Sequence, residues 1–300
     1  RHCLCFFIDN QGALLCFTTN SCKTLKTDYL YQTQRVWYAE IASGIRRKSK
    51  LISAKVNGVS FLQVPNLISF PKLRHGVFTR NGGFSSKPFD SMNLSLSVGD
   101  EEGVIKLNRS LVTRCMSSGE LVFTRQMHDA DVVVVSGPNA SPFVGDALVS
   151  NLESRMLAIK IADCQSVLMY DPVRNVIANV HSGWRGSIKN IIGGTIDVMK
   201  ERFGCNSSDI FAGISPSLGP CCAEFINYEK EIPGQFWKYR DHGNHFDFWR
   251  ISTDQLCGAG VIPENIHSSG ICTKCNTDLF FSYRGEKTTG RFVSVIGMME

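Results

Sequence analysis

Three side chains able to bind a metal stand at or just beyond the ends of short apolar runs. His128 follows "LVFTRQM", Cys164 follows "LAIKIAD" and His181 follows "VIANV". Runs that end on one rim of a sheet bring such residues together. One thiolate and two imidazoles leave the fourth corner of a tetrahedral zinc site open to water, as catalytic zinc sites do, and would bring that water towards a pKa of about 7. Two other readings fit the same residues. Cys164 can be a nucleophile with His181 as its base and Asp163 adjusting the local charge, or all three can be ordinary packed or solvated side chains. Their separations match no regular zinc spacing, so all three readings stay open on residue type alone. A metal site has a use for His128; a nucleophile and its base still want an orienting group.

Glycine turns next to cations form the second set of candidates. In "SGWRGS", Gly183 and Gly186 flank Arg185 just before a predicted helix, where backbone N–H groups and a guanidinium can meet phosphate. A tight turn with a solvated arginine is the alternative. "TRNGGFSS" repeats the pattern with Arg80, and "GEKTTGR" adds Lys287 and Arg291. Three such turns suggest a phosphate-using pocket. Cys272-Thr273-Lys274-Cys275 has the spacing of a zinc knuckle or redox pair, but no second such pair exists, so these read as structural or incidental thiols. Cys221 and Cys222, adjacent and therefore poor disulfide partners, read as packing. His242 and His245 in "RDHGNHFDFW" read as solvated loop residues.

These residues need a scaffold, and the runs "GVFTR", "LVFTRQ", "DVVVVS", "MLAIKI", "SVLMY", "VIANV" and "FVSVIG" supply strands. Ile188, Ile191, Ile192, Thr195, Ile196, Met199 and Phe203 predict an amphipathic helix over 187–203 that ends near Gly204. Val104, Leu107, Leu111 and Cys115 predict another over 104–115. The fold class is α/β (α+β), with residues 66–300 as one domain. Residues 1–65 read as an N-terminal extension of uncertain structure, with two short strands over 3–18 and a third over 59–64.

Hydrophobic residues at 43% and charged residues at 20% exclude disordered and collagenous chains. A net charge of +5 suits a small anionic substrate and is too diffuse for nucleic acid. Twelve cysteines among 300 residues are too few for a disulfide scaffold, so free thiols in a reducing compartment are expected. No apolar run approaches the roughly 18 residues of a membrane span, so no membrane partner is expected. Cytoplasm is the expected compartment, with an organelle left open because residue 1 is Arg1. Oligomeric state is not legible.

The segments "RHGVFTRNGG", "NLSLSVGD", "QMH", "GDAL", "ADC", "VHSGWRG", "SLGPCC" and "FFSYRGEKTTGR" occur here in one order. From about residue 70 the chain thereby resembles the purine nucleoside phosphorylase family long labelled multicopper polyphenol oxidase or laccase, which includes bacterial peptidoglycan-editing factors and a mammalian macrophage purine enzyme. The resemblance implies a single mixed-sheet α/β domain similar to toxin-type cysteine-hydrolase folds, with one zinc on His128, Cys164 and His181. It implies phosphorolysis of adenosine, inosine and methylthioadenosine to base plus (methylthio)ribose 1-phosphate, and deamination of adenosine. Purine nucleosides and phosphate are then the partners. Asp163 becomes the acid/base beside Cys164 and His181, and Arg80, Asn93 and Arg185 the substrate or phosphate contacts. Ser182 departs from a usual alanine, and Gln165-Ser166 from an apolar-proline pair, which puts substrate preference in doubt.

Rival functions are weighed on the same residues. A multicopper oxidase wants many histidines paired as His-x-His; this chain has seven and no such pair. One Cys/His₂ site can still take copper, which the Irving–Williams order favours over zinc. A cysteine amidase or deamidase on Cys164 and His181, acting on peptidoglycan precursors, is the second alternative. A zinc-stabilised scaffold that binds a partner through its N-terminal extension is the third.

Overall fold

The computed structural model describes residues 4–8, 14–18, 51–117, 119–137 and 143–299. Two compact units divide the chain, Arg1–Lys48 and Ser49–Glu300. In the first, β1 (Leu4–Ile8) and β2 (Leu14–Thr18) form an antiparallel hairpin with Leu4 opposite Thr18, at the place where two strands are expected. The polar stretch after it lies outside the described residues.

The second unit opens with a hairpin, β3 (Ile52–Val56) and β4 (Val59–Gln63). Asn57 and Gly58 turn it with φ of 51° and 84°, the left-handed pair that a two-residue hairpin loop demands. β4 pairs with β5 (Leu73–Phe78) and Phe61 stacks on Phe78, ring centroids 5.2 Å apart, so this hairpin is part of the second unit.

The mixed α/β architecture expected from the sequence is built from two sheets. Further strands are β6 (Glu120–Arg125), β7 (Val132–Val134), β8 (Phe143–Val144), β9 (Ala147–Ser150) and β10 (Arg155–Ile161). They are followed by β11 (Gln165–Asp171), β12 (Val176–Ser182), β13 (Phe211–Ile214), β14 (Ile266–Ser268) and β15 (Phe292–Met298). One sheet runs β3-β4-β5-β15-β10-β6-β8 and the other β14-β13-β11-β12-β9-β7.

Strand alternation explains the layering. Leu157, Ile159, Leu168, Ile177, Phe292 and Ile296 point between the sheets into one apolar core. Their alternates Met156, Ala158, Val293 and Val295 turn outward to meet Leu111, Val112 and Cys115 of α1 (Glu102–Cys115). On the other side Val167, Met169, Ala178 and Val180 meet Ile191, Ile192, Ile196 and Met199. Each such buried aliphatic contributes about 1.5–3 kcal/mol before the entropy of ordering is subtracted.

The helix expected over 187–203 is interrupted. Trp184, Arg185 and Gly186, read as a turn, already belong to α2 (Trp184–Ile188), and α3 (Ile191–Phe203) starts afresh. Asn190 between them has φ 57° and accepts the Gly193 N–H at 3.3 Å, so it ends one helix and caps the next. Helix α4 (Phe248–Gly258) packs beside α3. Among the described residues no helix is long and apolar enough to cross a membrane.

One polar knot lies between the sheets. Asn179 donates to Leu157 O at 2.9 Å and Ser294 O at 3.1 Å, and Ser166 Oγ donates to its side-chain oxygen at 2.6 Å while touching Ser294 Oγ. Buried polar groups persist only when so satisfied. Ser166 thus helps tie the two sheets together.

Candidate metal centre and active site

Strand register brings the ligands together. Ser166 lies opposite His181, so Cys164, just before β11, and His181, near the end of β12, share one end of the pair. Ala147 of β9 pairs with Val180, which sets Asp146 beside His181; Asp146 O accepts the His181 N–H at 2.6 Å. The Asp146 carboxylate then does more. Oδ1 meets His181 Nδ1 at 2.7 Å and accepts the His128 N–H at 2.9 Å, while Oδ2 accepts the amides of Met127 at 3.0 Å and Asp129 at 2.9 Å. That cradle holds His128 at φ 59°, a conformation seldom adopted without compensation. Gln126 fixes the preceding step by donating to Lys160 O at 2.8 Å and accepting its N–H at 3.0 Å, as a further residue of β6 would.

The ligand atoms of His128, Cys164 and His181 all lie within 4.8 Å of one another. The imidazoles meet edge to face, centroids 4.8 Å apart. His181 is 3% exposed, Cys164 half-buried and His128 exposed, so the cluster is closed at its floor and open on one side. Burial works against a charged Asp146, but the bonds from His181 and the amides hold it below the usual carboxylate range. Burial likewise pushes the Cys164 thiol up, yet the charge of His181 and hydrogen bonds from both histidines outweigh it and bring the thiol from 9.0 to about 6. His181 loses to burial and gains more from Cys164 and Asp146, rising from 6.5 to about 9. The two titrate as a pair, a thiolate facing an imidazolium.

The donor set fits a zinc-type ion. With Nδ1 bonded to Asp146, His181 has Nε2 for a metal, the carboxylate–histidine arrangement of zinc sites. Gly183 closes one side of the cluster: a Cβ there would lie 3.0 Å from Cys164 Sγ and 3.2 Å from His128 Nδ1. Any larger residue would press on both donors and require them to shift.

Other expected site residues are distributed differently. Asp163, at φ 87°, accepts from Thr273 Oγ1 and Ser282 Oγ at 2.7 Å each and from the Arg284 amide at 2.5 Å, so its carboxylate pins two loops. Arg80 is buried over the Phe281 ring; it pairs with Glu286 at 2.8 Å and donates to Thr277 O and Asp90 O. It edges a cavity of ≈ 580 Å³ shared with Asn81, Lys87 and Thr288, which none of the three ligands lines. Asn93 is fully buried, bonding Ser95 and Asp100 and accepting the Arg291 N–H at 2.9 Å. Both therefore build the loops. Arg185 is exposed and stacks on Trp184, 4.8 Å from the ring centroid, one turn of chain from Gly183.

Two further residues bear on the site: Asp146, for which the sequence reading has no role, and Arg291, expected only as a cation of a glycine turn. Asp146 lies in "GDAL", a segment quoted only for the resemblance. Arg291, in "GEKTTGR", is partly buried with Nη1 anchored on Thr289 O and Gly290 O at 2.9 Å each, and its charge is coupled to Cys164 and Asp163. Cys221 and Cys222, read as packing, and Cys272 and Cys275, read as structural or incidental thiols, bring their sulfurs within 4.8 Å of one another. The adjacent pair Cys221-Cys222, on another loop, stands against the C-x-x-C pair Cys272 and Cys275.

The sequence profile of the family described as "Multi-copper polyphenol oxidoreductase laccase" matches residues 74–299. The chain is 31% identical to the purine nucleoside phosphorylase YlmD of Bacillus subtilis over 248 residues, 75% of this chain and 88% of that one. It is 31% identical to the purine nucleoside phosphorylase YfiH of Escherichia coli over 235 residues, 74% of this chain and 92% of that one. Among solved structures, YlmD from Geobacillus stearothermophilus superposes with a TM-score of 0.75 at 27% identity, over 84% of this chain and all of that one. The Bacillus licheniformis protein YfiH superposes with a TM-score of 0.73 at 29% identity, over 81% of this chain and all of that one. On the profile match and these relatives, the chain belongs to the multi-copper polyphenol oxidoreductase laccase family, alongside relatives named purine nucleoside phosphorylase.

Proposed function

We propose that the chain is a purine nucleoside phosphorylase in which His128, Cys164 and His181 hold a zinc ion. The observation that carries this reading is the one-sided cluster: three converging donors, the two histidines held by Asp146, closed at His181 and open at His128. In phosphorolysis a phosphate oxygen attacks ribose C1′ as the glycosidic C–N bond breaks; its electron pair leaves on the purine, which takes up a proton. Adenosine, inosine and methylthioadenosine are the substrates. Arg185 and Arg291, the cations near Gly183 and Cys164, are suited to hold the phosphate. Asp163 supports the site by fixing Thr273, Ser282 and the Arg284 amide. When bound, the ion supplies Lewis acidity and an acidified water, the chemistry that exchange of the adenosine amino group for oxygen requires.

Mass spectrometry after incubation with adenosine, with and without phosphate, tests the reading. Adenine and ribose 1-phosphate formed only with phosphate are expected, with inosine reporting deamination. Adenosine unchanged under both conditions would remove the nucleoside assignment.

A second reading has its own observation. Cys164, His181 and Asp146 form a relay in which the thiol is brought to about 6, as a cysteine amidase would use it. Amide hydrolysis that survives metal removal and is abolished by alkylating Cys164 is its signature.

A further inference from the structure

We propose that Cys221, Cys222, Cys272 and Cys275 form a second metal site, a four-thiolate centre for a single zinc-class divalent cation. It stands apart from the nucleoside chemistry and uses none of the residues assigned to it. Cys221 Sγ and Cys222 Sγ each lie 3.6 Å from Cys275 Sγ, and all four sulfurs are within 4.8 Å of one another. Metal–sulfur bonds of about 2.3 Å at tetrahedral angles place sulfurs about 3.8 Å apart, so the set has nearly the size of one coordination sphere. That is far beyond the roughly 2.05 Å of a disulfide. It is also too compact for a cluster of several irons.

The surrounding backbone is built for charged sulfur. Cys272 Sγ accepts the Gly219 N–H at 3.3 Å and a further backbone bond from Cys275, the residue directly after the intervening Thr273-Lys274. Such N–H groups offset the excess negative charge that four thiolates keep around a divalent ion. The exposed Lys274, between the two cysteines, adds a cation at the rim. Close packing fixes the geometry from behind: a Cβ on Gly219 would lie 3.1 Å from Cys272 Cβ and 2.7 Å from the Trp249 ring. Two loops are clamped by the four sulfurs, and they already run side by side, with Ser217 N bonding Ile271 O at 3.1 Å and Thr273 N bonding Ser217 O at 3.0 Å.

All four positions come from protein, so no corner is left for substrate and the site is structural. Its reach extends to the catalytic side through one residue. Thr273, inside the C-x-x-C segment, donates to Asp163 at 2.7 Å, and Leu218 N, on the other clamped loop, donates to Asp163 O at 2.8 Å.

Metal analysis of the reduced wild-type chain, before and after cobalt substitution, tests the proposal. About two equivalents per chain are expected, with intense thiolate-to-cobalt absorption at the strength of a four-sulfur site. Cys272→Ser/Cys275→Ser should lose that absorption and one equivalent; Cys164→Ala should lose the other equivalent and keep the absorption. Should the double variant fail to fold, the wild-type spectrum and sulfur count by X-ray absorption decide alone. One equivalent in the wild type that disappears with Cys164→Ala would overturn the proposal. So would a disulfide from Cys275 to Cys221 or Cys222 in protein isolated with its thiols trapped.

Discussion

Two sulfur centres in one domain are built on opposite plans. At His128, Cys164 and His181 a single thiolate sits at the rim of two packed sheets, its partners oriented by a buried carboxylate, with one side open. At Cys221, Cys222, Cys272 and Cys275 the sulfurs come from two loops, are supported by amides at Cys272, and lie within 4.8 Å of one another, the four-thiolate site proposed above. Openness and mixed donors suit chemistry; saturation by thiolates suits cross-linking. The difference lies in what stands behind the sulfur. Asp146 sets a tautomer and a direction, whereas the Gly219 amide only balances charge.

The largest effect expected from breaking this contrast comes from Cys164→Ala. Loss of the thiolate should remove the metal at that centre and lower phosphorolysis by about 10³-fold or more, the equivalent of several kcal/mol of transition-state stabilisation, measured as ribose 1-phosphate formed per chain. Asp146→Asn comes next: metal affinity or turnover should fall about 10–100-fold, read by competition with a chelator, since His181 loses its orienting acceptor. Near-wild-type affinity would show that Asp146 is not what positions the histidines.

Gly183→Ala sharpens the comparison from the other side. Its Cβ would press on Cys164 Sγ and His128 Nδ1, so chelation of the first centre should weaken while the four-thiol absorption is untouched. Equal loss at both centres would mean a global defect. Arg185→Ala and Arg291→Ala should each raise the phosphate KM, by about tenfold for loss of a charge-assisted contact, and an unaltered phosphate dependence would remove that arginine from the site.

Titration gives a finer test on metal-free protein. The folded pKa of Cys164 lies below its ordinary 9.0, so its contribution to stability is present above pH 9 and is lost as pH falls through about 6. That of His181 lies above its ordinary 6.5, so its contribution is full below 6.5 and is lost as pH rises through about 9. The pair therefore favours folding between about pH 6 and 9. Iodoacetamide should alkylate Cys164 with a midpoint near pH 6; a midpoint near 9 would show that no imidazolium faces it.

Cys164 and His181 were legible because reactive residues that follow apolar runs stand where strands end. His128 was legible for the same reason, but its support was not. Asp146 becomes informative only when register sets it beside His181, and a fully buried acid has no signature in the chain. The partners of Arg80 and Asn93 were not legible: the Glu286 pair and the Arg291 amide reach them from segments about 200 residues away in the chain. The four cysteines show the same limit. Adjacent Cys221-Cys222 and spaced Cys272–Cys275 belong to loops after β13 and β14, strands whose parallel pairing the sequence does not reveal. Helix periodicity carried through the break at Asn190 because Ile188 and Ile191 keep the apolar spacing across it.

The most direct measurement compares wild type with Cys164→Ala and Cys272→Ser/Cys275→Ser, scoring metal content and ribose 1-phosphate from adenosine plus phosphate in the same preparations. Turnover should vanish with Cys164→Ala and fall by no more than about tenfold in the double variant, which touches the site through Asp163, by way of Thr273 and Leu218. Phosphate-dependent turnover that persists in Cys164→Ala after its metal is gone would contradict the assignment of His128, Cys164 and His181 as the active centre.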